Sequence, residues 1–293
     1  MSLFERFFGR KNQEDASPLV ATSTESPRAI IVLFEGPPTL NPAKVTGALQ
    51  TYDSTMKRAR FEADPEMMQK GIVFGLAGWG KHVVQLVGFD APYPQQELEP
   101  CLQNARFDDA RKKKLAAARG HVILYYAGKE ESAHEQFVAL CAVAGALCRC
   151  GAIGVVNPSA VTLLPGQVFA DPSMDLDILR ALPILAFICS WGTLEAENGS
   201  GVWARTVGAH ALDKPDLAAQ IDANDDIGEI AEIFGNILTY LCDSNAHFAA
   251  GHTMQVGEYT FMKVRVPTAD EAFLEGQGPL LIAEFISSNE INQ

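Results

Sequence analysis

Positive charge is scarce in this sequence. Its 293 residues include 23 Lys and Arg against 36 Asp and Glu, which gives a formal charge of −13. An acidic surface repels phosphate backbones, so we predict that the protein does not bind nucleic acid. The one dense basic run, at 111–114, directly follows Asp108 and Asp109. This mixed pattern is typical of a solvated helix face.

Long apolar runs are also missing. No stretch reaches the roughly 18 apolar residues that a membrane-spanning helix needs. The first residues do not form a secretory signal, because Glu5 and Arg6 interrupt their short apolar stretch. We therefore predict a protein without a transmembrane segment and with a cytoplasmic location.

Cysteines at metal-ligand spacing are lacking as well. Most of the six cysteines lie in apolar runs, and Cys141 and Cys148 share one predicted helix face. Such residues behave as small buried hydrophobes in a reducing compartment. Cys148 and Cys150 form a C-x-C motif, but a zinc site needs more ligands than this pair supplies. We predict neither a bound metal nor a cofactor.

The N-terminal residues 1–27 are predicted to be a tail outside the folded body. Residues 1–11 are predicted to form a short amphipathic unit, and 12–27 have the composition of a polar linker. The apolar side chains that share one helical face in this unit are Leu3, Phe4, Phe7 and Phe8. We predict that they dock onto the body or onto a protein partner. Weak membrane contact is the alternative, because basic residues flank them.

The element pattern predicts an α+β fold in two halves. Residues 28–128 follow the order β-α-β-β-α-β, which is that of a ferredoxin-like unit with an antiparallel sheet. Its two middle strands, at 71–77 and 82–89, are predicted to form a hairpin. Residues 129–287 begin with an apolar helix at 132–150 and continue as a second α+β half. Its predicted elements include strands at 184–194 and 201–211 and an amphipathic helix at 227–243. Within this half, Trp191 and Trp203 lie on neighbouring predicted strands and are expected to pack against each other. Residues 288–293 are a polar tail.

The segment 201–217 combines a predicted strand with a dense set of polar side chains. Loops after strands often carry binding groups. Thr206 and His210 would face the same side of a strand, and a nearby carboxylate could orient the imidazole. The candidate binding residues of this segment are Thr206, His210, Asp213 and Lys214.

A structural interpretation of the same segment stays open, because no known catalytic motif surrounds it. Asp213 would then cap a turn, Lys214 would lie in solvent, and Pro215 would begin a helical turn.

Short motifs along the chain resemble a bacterial domain family of unknown function, DUF4261. They comprise His121–Gly128, the alanine-rich helix that leads to Ala152–Val156, the series Thr206-x-Gly208-x-x-Ala211-Leu212-x-Lys214-Pro215-Asp216-Leu217, and Gly251-His252-Thr253. The resemblance spans roughly 28–286 and implies a shared architecture. It implies no particular chemistry, because the family has no assigned activity.

The sequence as a whole favours a non-catalytic protein-binding or adaptor module. Its acidic surface and its Phe-rich tail both motivate this interpretation. The alternative is a small-molecule hydrolase or ligand-binding enzyme centred on Thr206, His210 and Lys214. A deep pocket that contains His210 would favour the enzyme, and a flat acidic or aromatic face would favour the binding module.

Overall fold

The chain divides into two compact units, Met1–Leu182 and Pro183–Gln293. The computed structural model describes residues 28–69, 72–196, 201–221, 226–244 and 246–287. The division falls later than the boundary predicted after residue 128, because the long apolar helix at 133–149 packs on the sheet of the first unit. The amphipathic residues Leu3, Phe4, Phe7 and Phe8 lie outside the described part of the chain, so their docking stays a prediction.

The first unit is built on one antiparallel sheet. Its strands are β1 (Ala29–Phe34), β2 (Arg60–Ala63), β3 (Val73–Trp79), β4 (His82–Phe89), β5 (Gly120–Tyr126), β6 (Gly154–Asn157) and β7 (Thr162–Pro165). Its helices are α1 (Pro42–Gln50), α2 (Pro65–Gln69), α3 (Gln95–Asn104), α4 (Asp109–Ala116), α5 (Ala133–Arg149), α6 (Gly166–Ala170) and α7 (Leu176–Ala181). The strand order is β2-β3-β4-β5-β1-β6-β7.

Local sequence signals explain where several of these elements begin. Asn41 caps α1, since its side-chain oxygen accepts a hydrogen bond of 3.0 Å from the backbone N–H of Lys44. Asp108 caps α4 in the same way and also pairs with Arg111 at 3.4 Å. Lys114 pairs with Glu35 at 2.7 Å. These contacts agree with a solvated face for the basic run at 111–114.

The core of the first unit lies on both faces of its sheet. Helix α5 packs against β1, β4 and β5, and its residues from Phe137 to Cys148 are all buried. On the other face, Ile31 and Leu33 of β1 join a cluster with residues of α3 and α4. Successive residues of β1 therefore contribute to two different cores, as expected for a strand covered on both sides.

The strand order does not confirm the ferredoxin-like detail of the prediction. A split β-α-β arrangement would place β1 between β5 and β4. Instead β5 lies between β1 and β4 and pairs with both, for example through Leu124 with Ile30 and with Leu86. The α+β class is confirmed, because helices accompany two mostly antiparallel sheets.

The second unit is built on a six-stranded sheet. Its strands are β8 (Ser190–Glu195), β9 (Val202–Val207), β10 (Asp216–Ile221), β11 (Thr253–Gln255), β12 (Thr260–Arg265) and β13 (Leu280–Ser287). Its helices are α8 (Ile184–Phe187) and α9 (Ile227–Asp243), and 3-10 turns cover Ala209–Leu212 and Ala269–Leu274. The strand order is β11-β12-β13-β10-β9-β8, in which β10 and β13 are parallel and the other neighbours are antiparallel.

Three local predictions for the second unit are wrong. Residues 184–187 form helix α8 and not the start of a strand. Pro215 precedes strand β10 and does not begin a helical turn. Trp191 pairs with Thr206 whereas Trp203 pairs with Leu194. The odd spacing between these positions puts the two tryptophan rings on opposite faces of the sheet, so they do not pack together.

Two clusters form the core of the second unit. On one face of the sheet, Phe234, Leu238 and Leu241 of α9 are fully buried, and α9 packs there against β9 and its neighbours. On the other face, Trp203 packs with Ala218, Ile282 and Leu274. No helix within the described residues has the length and the apolar character needed to cross a membrane.

Candidate functional site

A tight turn joins β9 to β10 and carries the polar residues that the sequence analysis selected. Gly208 has a φ of 102° and Asp213 a φ of 58°, so both adopt the left-handed conformation. Glycine adopts it without strain, and Asp tolerates it better than most residues. Between them, Ala209–Leu212 form one 3-10 turn. The chain therefore reverses within a few residues and returns as β10.

The hydroxyl of Thr206 is the centre of this turn. It accepts a hydrogen bond of 2.8 Å from the backbone N–H of Leu217 and donates one of 3.0 Å to Oδ1 of Asp216. The same carboxylate oxygen accepts from the backbone N–H of Ala209 at 3.1 Å. Thr206 is fully buried and Asp216 is 1% exposed. These bonds fasten the end of β9 to the start of β10.

Burial has an electrostatic effect on the carboxyl group of Asp216. Desolvation raises the pKa of this group, while the hydrogen bonds from Ala209 and Thr206 and the charge of Arg205 act in the opposite direction. Asp216 is thus a buried carboxyl group with a raised pKa within the turn. It was recognised in the sequence only as a possible partner of His210.

His210 lies under a glycine-containing loop. A Cβ atom added at Gly278 would stand 2.3 Å from the Cβ of His210, and one added at Gly276 would stand 2.2 Å from a guanidinium nitrogen of Arg205. The backbone of this loop can approach so closely because both residues lack a side chain. Nδ1 of His210 is buried and finds no hydrogen-bond partner among the described residues.

The remaining candidates of this segment are Lys214 and Asp213. Lys214 donates a hydrogen bond of 3.3 Å from Nζ to the backbone carbonyl of Ala246. Asp213 ends the 3-10 turn, and its backbone N–H bonds to the carbonyls of Ala209 and His210. The structure thus joins Thr206 to Asp216, and it places Lys214 against a different segment of the same unit.

The chemistry open to this cluster is limited by access. A hydroxyl nucleophile must reach a substrate and must pass its proton to a base. The Thr206 hydroxyl is fully buried, and both its donor and its acceptor capacity are used within the turn. This geometry favours the structural interpretation of 201–217, in which the polar groups stabilise a sharp strand-to-strand turn.

Residues 205–280 match the model of a domain of unknown function, DUF4261. This confirms the predicted resemblance to that family over 205–280, and the wider extent of 28–286 stays a prediction. The match lies wholly inside the second unit, from β9 to the start of β13. No curated protein and no solved structure matches the chain. The DUF4261 match thus identifies the second unit as the segment with recognisable relatives.

An open groove runs along one flank of α9 in this DUF4261-like unit. We call it the α9 groove. It has a volume of about 390 Å³. Its lining residues are Ile233, Asn236, Ile237 and Tyr240 of α9 together with Met254, Gln255 and Val256 of the β11 edge. Tyr240 is 53% exposed. The groove thus presents the ring of Tyr240 to solvent beside the partly buried side chains of Ile233, Met254 and Val256. Exposed apolar surface of this kind is typical of a surface that binds another molecule.

The charge of the protein is concentrated in the same unit. The segment Pro183–Gln293 contains 16 acidic residues and 4 basic ones, a formal charge of −12, and Met1–Leu182 contains 20 and 19, a charge of −1. Helix α9 and its cap carry four carboxylates and no basic residue: Asp226, Glu229, Glu232 and Asp243. The helix that forms one wall of the α9 groove therefore carries negative charge only.

Sequence reasoning missed this groove, although a signal for it exists. The helix was predicted correctly at 227–243 and was interpreted as an ordinary amphipathic helix. Its apolar residues are more numerous than one buried stripe needs, because Ile227 and Tyr240 lie outside that stripe and are exposed. An apolar helix face wider than core packing requires would have indicated a second contact surface.

Metal ligands do not converge in this part of the molecule. Within the ranges that the structure describes, no three His, Cys, Asp or Glu side chains come close enough to hold an ion. The rings of His247 and His252 are 6.5 Å apart in an edge-to-face arrangement.

Proposed function

We propose that this protein is a non-catalytic protein-binding module, and that its second unit holds a partner segment in the α9 groove. The observation that carries the proposal is the exposure of Tyr240 beside Ile233 and Met254 in a formed groove. Grooves along helices commonly bind apolar side chains at helical spacing from a partner.

The charge distribution indicates the chemistry of the partner. A segment that enters the α9 groove passes the carboxylates of Glu229 and Glu232, which are exposed on α9. Complementary charge speeds association and excludes wrong partners. We therefore propose a partner segment that carries Lys or Arg beside an apolar stripe. Nucleic acid does not fit this proposal, because its phosphates would face a unit with a formal charge of −12.

The alternative enzyme would be centred on Thr206, His210 and Lys214. The burial of the Thr206 hydroxyl and its two hydrogen bonds speak against a nucleophile at this position. The unpaired Nδ1 of His210 would favour a ligand site there only if a ligand could enter beneath the loop at Gly278.

The six cysteines support a cytoplasmic location for this module. All six are free thiols. Burial raises the pKa of Cys141 and of Cys148 to about 12, so these thiols stay protonated and unreactive. Unpaired cysteines suit a reducing compartment. In this proposal the tail residues Leu3, Phe4, Phe7 and Phe8 remain a second candidate contact with a partner.

Site-specific photo-crosslinking tests the proposal. A photoreactive phenylalanine analogue replaces Tyr240 in the α9 groove, and in a matched variant it replaces Phe89, a 38% exposed aromatic residue of the first unit. Both variants are expressed in the native host, and the adducts are mapped by mass spectrometry. We expect a protein adduct at position 240, on a segment with Lys or Arg beside apolar residues, and little adduct at position 89.

Two results would contradict the proposal. Adducts of equal yield at both positions would mean that the α9 groove is not a preferred surface. An adduct at position 240 on an acidic segment would contradict the charge argument. The variant Glu232→Lys, with the same analogue at position 240, sharpens the test, because reversing one charge on α9 is expected to lower the adduct yield.

A further inference from the structure

The α9 groove lies between a helix and the edge of a sheet. Helix α9 forms one wall, and residues of strand β11 form the other. β11 is the first strand in the order of its sheet, and β12 is its only strand neighbour among the described residues. Met254, Gln255 and Val256 all line the groove, although successive side chains of a strand point to opposite faces. The groove therefore follows the open edge of β11.

The register between β11 and β12 identifies the backbone groups at this open edge. Val264 of β12 donates its backbone N–H to the carbonyl of His252 at 3.0 Å. Alternate residues of an antiparallel strand direct their N–H and C=O groups to opposite edges. Met254, two residues after His252, therefore directs its backbone groups toward β12. Thr253 and Gln255 direct theirs outward, and both residues are exposed.

The outward backbone groups of Thr253 and Gln255 favour an extended ligand. They are two donors and two acceptors, on residues roughly 7 Å apart at the rise of a strand. None of the four groups has a hydrogen-bond partner within the ranges that the structure describes. A strand edge of this kind is a template for a further strand, which pairs with it through its own backbone. A helix would leave the four groups unpaired, because its backbone N–H and C=O groups bond within the helix.

The α9 wall determines which side chains such a strand would carry. Met254 and Val256 pack against the core cluster that includes Ile237, so they point to the α9 side of the sheet. An added strand would direct every second side chain to that side, where Tyr240 is 53% exposed. These positions favour apolar residues. The positions between them can carry Lys or Arg, which the formal charge of −12 on this unit attracts.

We propose that the partner of the α9 groove binds as an extended segment that adds a strand to the sheet beside β11. The segment has apolar residues at every second position and Lys or Arg between them. This inference rests on the proposed function and adds to it the binding mode and the sequence class of the partner. A second copy of this chain fits less well, because two units with a formal charge of −12 repel each other.

The first test uses two peptides of the same composition with the full-length protein. Acetyl-KVTVKVT-amide has valine at every second position, and acetyl-VKTVVKT-amide has valine at helical spacing. Isothermal titration calorimetry measures both affinities. We expect saturable binding of the alternating peptide. The isomer is expected to bind about fivefold more weakly or worse, which corresponds to the loss of roughly one hydrogen bond.

Methylation of backbone nitrogens in the alternating peptide tests the pairing itself. If the valines of an antiparallel strand face α9, the polar residues between them direct their N–H groups to Thr253 and Gln255. N-methylation of both inner polar residues is therefore expected to weaken binding by about fivefold or more. N-methylation of the last two valines is the matched control, and it is expected to leave the affinity unchanged.

Two variants at one position test the same contact on the protein. Gln255→Pro and Gln255→Ala both lose the hydrogen bonds from Nε2 of Gln255 to the carbonyls of Gly257 and Glu258. Only proline also removes the outward N–H. Because this N–H does not pair with β12, we expect both variants to fold. Binding of the alternating peptide is expected to be about fivefold weaker in Gln255→Pro than in Gln255→Ala.

Three outcomes would overturn the inference. The first is no saturable binding of the alternating peptide at millimolar concentrations, and the second is equal affinity for the two isomers. The third is an equal effect of N-methylation at polar residues and at valines. If circular dichroism shows that Gln255→Pro does not fold, the methylated peptides decide alone.

Photo-crosslinking at position 240 separates a failure of this inference from a failure of the proposed function. A partner adduct at Tyr240 together with any of the three outcomes would retain the α9 groove as a binding surface and remove the strand mode alone. The absence of a preferred adduct at position 240 would contradict the proposed function, whatever the peptides show.

Discussion

The two units use helices of the same length in different ways. Helix α5 of the first unit and α9 of the second both have 17 residues, but α5 buries 13 of them and α9 buries six. The first unit covers α5 with a sheet and with further helices, and it is nearly neutral. The second leaves a flank of α9 open and carries a charge of −12.

This difference agrees with the binding role that we propose for the second unit. Of the eight large apolar side chains that are exposed in the described part of the chain, six belong to the second unit. They are Leu194, Ile227, Tyr240, Tyr259, Val266 and Phe285. The negative charge of the second unit opposes self-association through these exposed apolar side chains, because like charges repel each other.

The largest expected effect concerns the core beneath α9. Phe234→Ala removes a fully buried ring and is expected to lower the free energy of unfolding of the second unit by about 3–5 kcal/mol. Hydrogen exchange of the amides in α9 and β10 measures it. Phe285→Ala, at a 36% exposed position of the same unit, serves as control with a much smaller loss. Equal losses would mean that α9 is not anchored through Phe234.

The next largest effect concerns Glu271, whose carboxylate forms an ion pair with Arg265 at the end of β12. Hydrogen bonds from Arg265, at 2.6 and 2.7 Å, lower the pKa of Glu271 to about 2. A lowered pKa gives stability that is complete above the usual value of 4.5 and is lost as pH falls toward 2. Glu271→Gln is expected to cost about 2 kcal/mol at neutral pH.

A pH series of denaturation curves checks this prediction. The difference between Glu271→Gln and the unchanged protein should shrink as pH falls below 4.5 and vanish near pH 2. Glu275→Gln, at an exposed position, should show no such difference. A constant difference at every pH would show that the carboxylate charge does not contribute.

A matched pair of glycines compares the two helices directly. A Cβ at Gly145 of α5 would stand 2.5 Å from the ring of Tyr52 and 2.9 Å from the carbonyl oxygen of Phe169. Gly145→Ala is therefore expected to lower stability by about 1–3 kcal/mol through overpacking. Thermal unfolding measures it. An unchanged melting temperature would mean that α5 is packed less tightly than these distances indicate.

The smallest effect has the opposite sign. A Cβ at Gly235 of α9 would meet the side chain of Leu185 at 3.4 Å, an ordinary contact. Ala is a better helix former than Gly, so Gly235→Ala is expected to raise stability by about 0.5–1 kcal/mol. The same thermal unfolding assay applies. Destabilisation by Gly235→Ala would contradict the looser packing around α9.

Elements with strong local signals were predictable from the sequence. The bounds of α9 were predicted correctly, and α5 and the β3–β4 hairpin were found within two residues. Strand β10 was missed because two alanines replace the β-branched residues that favour strands, and because its pairing with β13 joins residues far apart in sequence.

The candidate site was predictable only where its residues are neighbours along the chain. Thr206 and Asp216 meet because a single turn joins their strands. The α9 groove instead depends on how α9 and the β11 edge lie next to each other. A linear pattern does not encode this distance, so Tyr240 was not recognised as a contact residue.

The most direct test of the account is hydrogen–deuterium exchange on the full-length protein, with and without the segment captured at position 240. Exchange should slow in α9 and in the β11 edge strand and stay unchanged throughout the first unit, and the protection should weaken as salt is raised. Protection in the first unit with none in α9 would contradict the claim that the acidic second unit is the binding unit.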